Sequence, residues 1–189
     1  MNIQLSELAD IKLGYSFREA IASEENGDIG VVTAKNIDKE SIELGGVVKI
    51  KDRQLKSKHF LQNGDIVINT RLNFKSGIYK DTYSIKTIVA SPLIIIRVYS
   101  SKISPEYLNI YLNLDIAQQN LKATADTGVI PFLSLGQIKG IDVFVPNIEK
   151  QRKVIEFDLL RKKEAAINQQ VAHLKSQINK KVISSLIYE

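Results

Sequence analysis

Between residues 69 and 80 the chain gathers Asn69, Thr70, Arg71, Asn73, Lys75, Ser76, Tyr79 and Lys80 around a single glycine, Gly77. These side-chain types suit nucleic acid. Arginine can bridge guanine O6 and N7, asparagine can pair with adenine N6 and N7, and lysine, serine and tyrosine can hold phosphates. Charge agrees locally: from Lys49 to Lys80 there are eight Lys and Arg against two Asp, although the net charge of the whole chain is only +5. Such an excess can follow a phosphate backbone, and it equally describes a solvated surface, with residues 69–80 as a hairpin that has an ordinary polar tip.

Catalytic constellations are absent from the sequence. There is no cysteine, so no thiolate nucleophile and no Cys-ligated metal. The two histidines, His59 and His173, are far apart, and none of the ten glycines falls into GxGxxG or GxxxxGK[ST]. Neither His-Glu-x-x-His nor a Ser-centred nucleophile elbow occurs. The expectation is a binding protein, not an enzyme, with no metal site and no cofactor of its own. With no signal peptide and no long uninterrupted apolar run, a cytoplasmic location and no membrane partner are expected.

The elements that must position this segment divide the 189 residues near Pro146. Residues 1–146 carry short apolar runs punctuated by turn residues, whereas 147–189 contain no Gly or Pro. Runs at 30–34, 47–50, 65–70 and 88–99, rich in Val, Ile and Tyr, read as strands of an antiparallel or mixed sheet. Asn63-Gly64 marks the turn into one of them. Ser104 before Pro105 and Glu106 caps a helix predicted over 105–122, and Ser134 with Gln137 predicts a short helical turn before a strand at 141–145. Residues 6–10 suggest a further short turn. The fold class is therefore α+β: a sheet domain with short helices, then one long C-terminal helix.

That helix has a narrow apolar seam of Leu160, Ile167, Val171, Leu174, Ile178, Val182 and Leu186, with a step of four where a strict heptad wants three. Some forty residues of helix extend roughly 60 Å. The first turns can fold back along the globular region, but that leaves the rest of the seam exposed, and a helical partner is expected.

The order of these segments resembles the DNA-specificity (S) subunit of type I restriction-modification systems. The resemblance rests on Leu5-Ser6-Glu7-Leu8-Ala9-Asp10-Ile11-Lys12-Leu13-Gly14, Ile29-Gly30-Val31-Val32-Thr33-Ala34-Lys35-Asn36-Ile37 and Leu61-Gln62-Asn63-Gly64-Asp65-Ile66-Val67-Ile68. It continues through Ser104-Pro105-Glu106-Tyr107-Leu108-Asn109-Ile110-Tyr111-Leu112. The closing piece is Gly128-Val129-Ile130-Pro131-Phe132-Leu133, with Leu135, Ile138, Ile141, Val143, Val145-Pro146 and Glu149-Lys150-Gln151 after it. Val145-Pro146-Asn147-Ile148 stands where many relatives have a double proline.

The resemblance implies a target-recognition domain at 1–146 and a spacer and dimerisation helix at 147–189. It implies double-stranded DNA as ligand and modification subunits as partners, with a restriction subunit as a possible third component. S-adenosylmethionine would be bound by the modification subunits. Relatives usually carry two recognition domains and two helices; this chain has one of each, so the resemblance implies a half-length form that pairs as a homodimer on a split inverted repeat. Residues expected at the DNA are Arg71, Asn73, Lys75, Ser76, Tyr79 and Lys80, with Lys35, Asn36, Thr127 and Gly128. Two other readings compete: a coiled-coil adaptor that binds protein, and a regulatory truncated S subunit that exchanges with full-length ones.

Overall fold

The computed structural model describes residues 1–38, 40–51, 55–71, 73–82, 84–126 and 128–188. The chain forms two compact units, Met1–Gln151 and Arg152–Glu189.

In the first unit the strands are β1 (Asn2–Gln4), β2 (Ala9–Leu13), β3 (Ile29–Val32), β4 (Ile37–Asp38), β5 (Ser41–Ile42), β6 (Val48–Ile50), β7 (Ile66–Ile68), β8 (Ser76–Ile78), β9 (Thr87–Val89), β10 (Ile94–Val98) and β11 (Asp142–Phe144). Among the described residues these form three sheets, ordered β1-β11, β2-β10-β7-β8-β5-β4 and β6-β3-β9. Pairing is mixed: β3 runs parallel to β9 and β5 to β8, and the other ladders are antiparallel. Strand β3 is buried on both faces, so successive residues serve different clusters. Ile29 and Val31 pack with Ile50, Ile88 and Ala90, whereas Val32 joins Ile37, Val67, Tyr79, Val89, Leu93 and Ile95. Each fully buried Ile or Val contributes about 1.5–3 kcal/mol relative to exposure.

Three expectations change. The run at 88–99 is two strands in different sheets, β9 and β10, divided around Pro92, which has no N–H to donate to a ladder. The single helix expected over 105–122 is α1 (Pro105–Asn113) and α2 (Asp115–Thr124), separated by an extended Leu114. At this break Gln118 Nε2 donates to the carbonyl of Leu112, which the interrupted helix would otherwise leave without a partner. Ser104 caps α1 by accepting from the Tyr107 N–H, and Ser134 with Gln137 forms the capping box of α3 (Leu135–Lys139). Residues 5–7 form the expected short turn, but Ala9–Leu13 is a strand.

Helix α4 (Ile148–Tyr188) is 41 residues long. Its first turn belongs to the first unit and is tied there by Gln151, which is fully buried. Gln151 Oε1 accepts from Ser104 N–H at 2.9 Å, while Nε2 donates to the carbonyls of Lys102 at 2.7 Å and Pro146 at 2.9 Å.

The second unit is helical throughout its described residues. Asp158 pairs with Arg161 at 2.6 Å and Lys162 at 2.7 Å, one turn along. Burial pushes the Asp158 carboxyl up, but the bonds from Lys162 and Arg161 outweigh it and hold the group below its usual range. All seven seam residues from Leu160 to Leu186 are exposed in this single chain. Among the described residues, no helix is long and apolar enough to cross a membrane.

Candidate nucleic-acid interface

Residues 69–71 and 73–75 lie in the connection of the β7–β8 hairpin, and their own backbone shapes it. Asn69 N–H donates to the Lys75 carbonyl at 2.8 Å, closing the loop, and Asn73 N–H donates to the Arg71 carbonyl at 2.9 Å. Asn69 braces the inside: its Oδ1 accepts from Arg71 N–H at 3.0 Å, and its Nδ2 donates to Asn73 Oδ1 at 3.3 Å. Phe74 takes a left-handed backbone (φ 45°), unusual for a bulky residue, and drives its ring fully into the interior. The strained residue is thus the anchor. Arg71, Asn73 and Lys75 are exposed, although Asn73 Oδ1 is held within the loop, where it also accepts from Lys75 N–H at 3.4 Å.

The loop is held from behind by amides of the α1–α2 region. Asn109 Oδ1 accepts from the Ser76 hydroxyl at 2.9 Å, and its Nδ2 donates to the Glu40 carbonyl at 2.9 Å. Asn113, one helical turn on, accepts from Ser76 N–H at 3.1 Å and donates to the Ser76 carbonyl and hydroxyl. Gln118 Nε2 reaches the Phe74 carbonyl at 3.0 Å. These positioning residues lie outside the basic segment on which a search for DNA-reading types settles. The asparagines at positions 109 and 113 do share one face of α1, and that i, i+4 spacing is the signal that could have found them.

On a second side the loop meets the segment that follows α2. Arg71 and Asp126 both form antiparallel bridges with Phe132, and Leu133 N–H donates to the Thr70 carbonyl at 2.9 Å. Exposed Gly128 is in this second loop, and Thr127 lies outside the described residues.

The expected site residues therefore separate. Arg71, Asn73, Lys75 and the Gly128 loop come together. Ser76 and Tyr79 do not join them as surface groups and are corrected to internal ones: Ser76 is fully buried under the two asparagines, and Tyr79 is buried with its hydroxyl toward Thr87 Oγ1 at 3.3 Å. Burial is the main cause that pushes the Tyr79 phenol above its ordinary value. Both residues lie in or beside a strand whose two faces are covered, which their polarity conceals. Lys80 is exposed but lies beyond β8, about 16 Å of extended chain from Lys75.

Lys35 and Asn36 belong with that far end. Parallel pairing of Ser41 with Ile78 sets Glu43 level with Lys80, and Asn36 Nδ2 donates to the Glu43 carbonyl at 3.3 Å. Asn36 Oδ1 accepts from both N–H and Oγ1 of Thr33, so its amide braces its own turn, while Lys35 is exposed.

Glycine permits the close packing behind this surface. A Cβ on Gly77 would stand 2.6 Å from the Ser41 carbonyl oxygen, so only glycine lets β5 approach β8.

This arrangement of sheets, short helices and a long terminal helix is the fold of type I restriction-modification specificity subunits. A structure described as the structural basis of complex assembly and conformational transition of the type I R-M system superposes over 95% of this chain with a TM-score of 0.69 and 14% identity. The HsdS subunit from Thermoanaerobacter tengcongensis matches over 89% at 0.57 and 13% identity. The type I restriction-modification S subunit from M. genitalium matches over 83% at 0.55 and 12% identity. The chain spans about two fifths of the length of these structures: 43%, 39% and 37% respectively. No family model matches the sequence, and no curated protein matches it.

Proposed function

We propose that this chain is a sequence-specific DNA-recognition component of a type I restriction-modification complex, non-catalytic itself, reading one half-site through its first unit. The observation that carries the reading is the braced loop at 69–75: in a specificity-subunit fold, Arg71, Asn73 and Lys75 project from a backbone immobilised on two sides. Two of these side chains can hydrogen-bond base edges and the third can hold a phosphate.

In this reading the domain spans residues 1–146, and 147–189 form the spacer. The exposed seam from Leu160 to Leu186 pairs with the same seam of a second copy, giving two identical readers on an inverted repeat. Modification subunits dock on this assembly and supply S-adenosylmethionine and the methyl transfer, and a restriction subunit can join them. A cytoplasmic location goes with that work.

Site selection from a random duplex library, with the modification subunits present, tests the proposal. The expected product is an inverted repeat with an unspecified gap. An asymmetric site would exclude the homodimer, and binding without any sequence preference would exclude the recognition role.

A further inference from the structure

Val129, Ile130 and Phe132 put three large apolar side chains within four residues of one loop, and all three are exposed, Val129 completely. Such a tip is unfavourable in water unless something covers it. The loop is nonetheless well held. Asp126 N–H donates to the Phe132 carbonyl at 3.0 Å, Gly128 N–H to the Asp126 carbonyl at 3.1 Å, and buried Leu133 is tied to Thr70. Pro131 restricts the backbone between the apolar residues.

Two observations identify the occupant. Phe132 is the bridge partner of Arg71, so the apolar tip and this exposed cation form one surface, with exposed Lys75 in the same hairpin connection as Arg71. The tip is also small. A stable protein interface covers about 800 Å² per partner, more than three side chains supply. Apolar side chains flanked by cations are the chemistry by which DNA-binding proteins part stacked bases while holding the neighbouring phosphates.

We propose that Val129 and Ile130, backed by Phe132, form a wedge that enters the duplex at a single base step beside the sequence read by the 69–75 loop. The inference rests on the DNA-recognition reading above. Opening one step would make the half-site sensitive to stacking strength at a position where no hydrogen bond reads the base.

The test uses the full chain without modification subunits, so that base extrusion by a methyltransferase cannot contribute. Duplexes carrying the selected site, with 2-aminopurine at each position in turn, are bound at low salt. A several-fold rise in fluorescence is expected at one step. The double substitution Val129→Ser with Ile130→Ser changes exposed residues only. It should abolish the rise and weaken binding about tenfold, with the salt slope unchanged because no phosphate contact is lost. Lys75→Ala should retain the rise and reduce the salt slope by about one.

No rise at any step overturns the wedge, whatever the affinity. Retention of both rise and affinity in the double variant also overturns it. Loss of modification-subunit binding with DNA binding intact would make the tip a protein-docking surface instead. If the unaltered chain prefers no sequence, the recognition reading fails first and takes the wedge with it.

Discussion

Replacing Asn109 by alanine tests whether the interface loop is held from behind as the hydrogen bonds indicate. In the native arrangement Asn109 Oδ1 accepts the Ser76 hydroxyl proton at 2.9 Å in a fully buried position, and Nδ2 donates to the Glu40 carbonyl at 2.9 Å. After truncation the Ser76 oxygen still receives Asn113 Nδ2, but its own proton loses its acceptor; the Glu40 carbonyl retains a long 3.5 Å contact from Ile78 N–H. One buried donor left unpaired costs about 1–3 kcal/mol and the weakened carbonyl adds less, so the expected loss is about 2–3 kcal/mol. Urea unfolding at equilibrium measures it, with the slope unchanged.

The companion variant Ser76→Ala removes the stranded proton. Asn109→Ala with Ser76→Ala should therefore cost about 1 kcal/mol less than the two single losses together. The DNA readout should move as well: a loosened loop relaxes preference at several neighbouring positions while the salt slope holds. A loss below about 0.5 kcal/mol, or strict additivity in the double variant, would refute the brace.

Other expectations follow from single contacts. Arg97 grips buried Asp65 with two bonds of 2.7 and 2.6 Å, so Arg97→Met should cost about 3 kcal/mol by denaturant unfolding, toward the low end for a buried pair because Arg97 is partly exposed; adding Asp65→Asn, which removes the charge but keeps an acceptor for Gln62 N–H, should restore part of it. Gln151→Glu keeps an acceptor for Ser104 N–H but sets a carboxylate against the Lys102 and Pro146 carbonyls. Its thermal destabilisation should exceed that of Gln151→Ala at neutral pH and shrink on acidification. His59 is held below its ordinary value by burial, then by Lys58 and Lys56, which favours the neutral ring in the folded state. Its contribution to stability is then complete above the unfolded value of about 6.5 and is lost as pH falls toward the lower folded value; an NMR titration inflecting at or above 6.5 would contradict this.

Much of the framework was legible because local signals and tertiary structure agree. Asn63-Gly64 precedes β7, Ser104-Pro105 opens α1, and Ser134 with Gln137 caps α3. Strand β2 was hidden by the turn signal at Ser6-Glu7, although Ala9-Asp10-Ile11-Lys12-Leu13 alternates as a half-buried strand should. Strand β8 is hard to read from composition: Ser76-Gly77-Ile78 has little strand character, and besides its ladder with β7 it is held by Asn109 and Asn113, more than thirty residues away. The same distance explains the site. Residue type correctly marks Arg71, Asn73 and Lys75 as exposed groups, but it cannot distinguish them from Ser76 and Tyr79, which the covered faces around β8 turn inward.

The central claim is that the 69–75 loop reads bases. It is tested most directly by comparing selected DNA sites for the unaltered chain, Arg71→Ala and Asn73→Ala, with the modification subunits present. Each substitution should relax preference at one position of the half-site, by about 1–3 kcal/mol, and leave the other positions as they were. Unchanged affinity and preference in both variants would contradict the assignment.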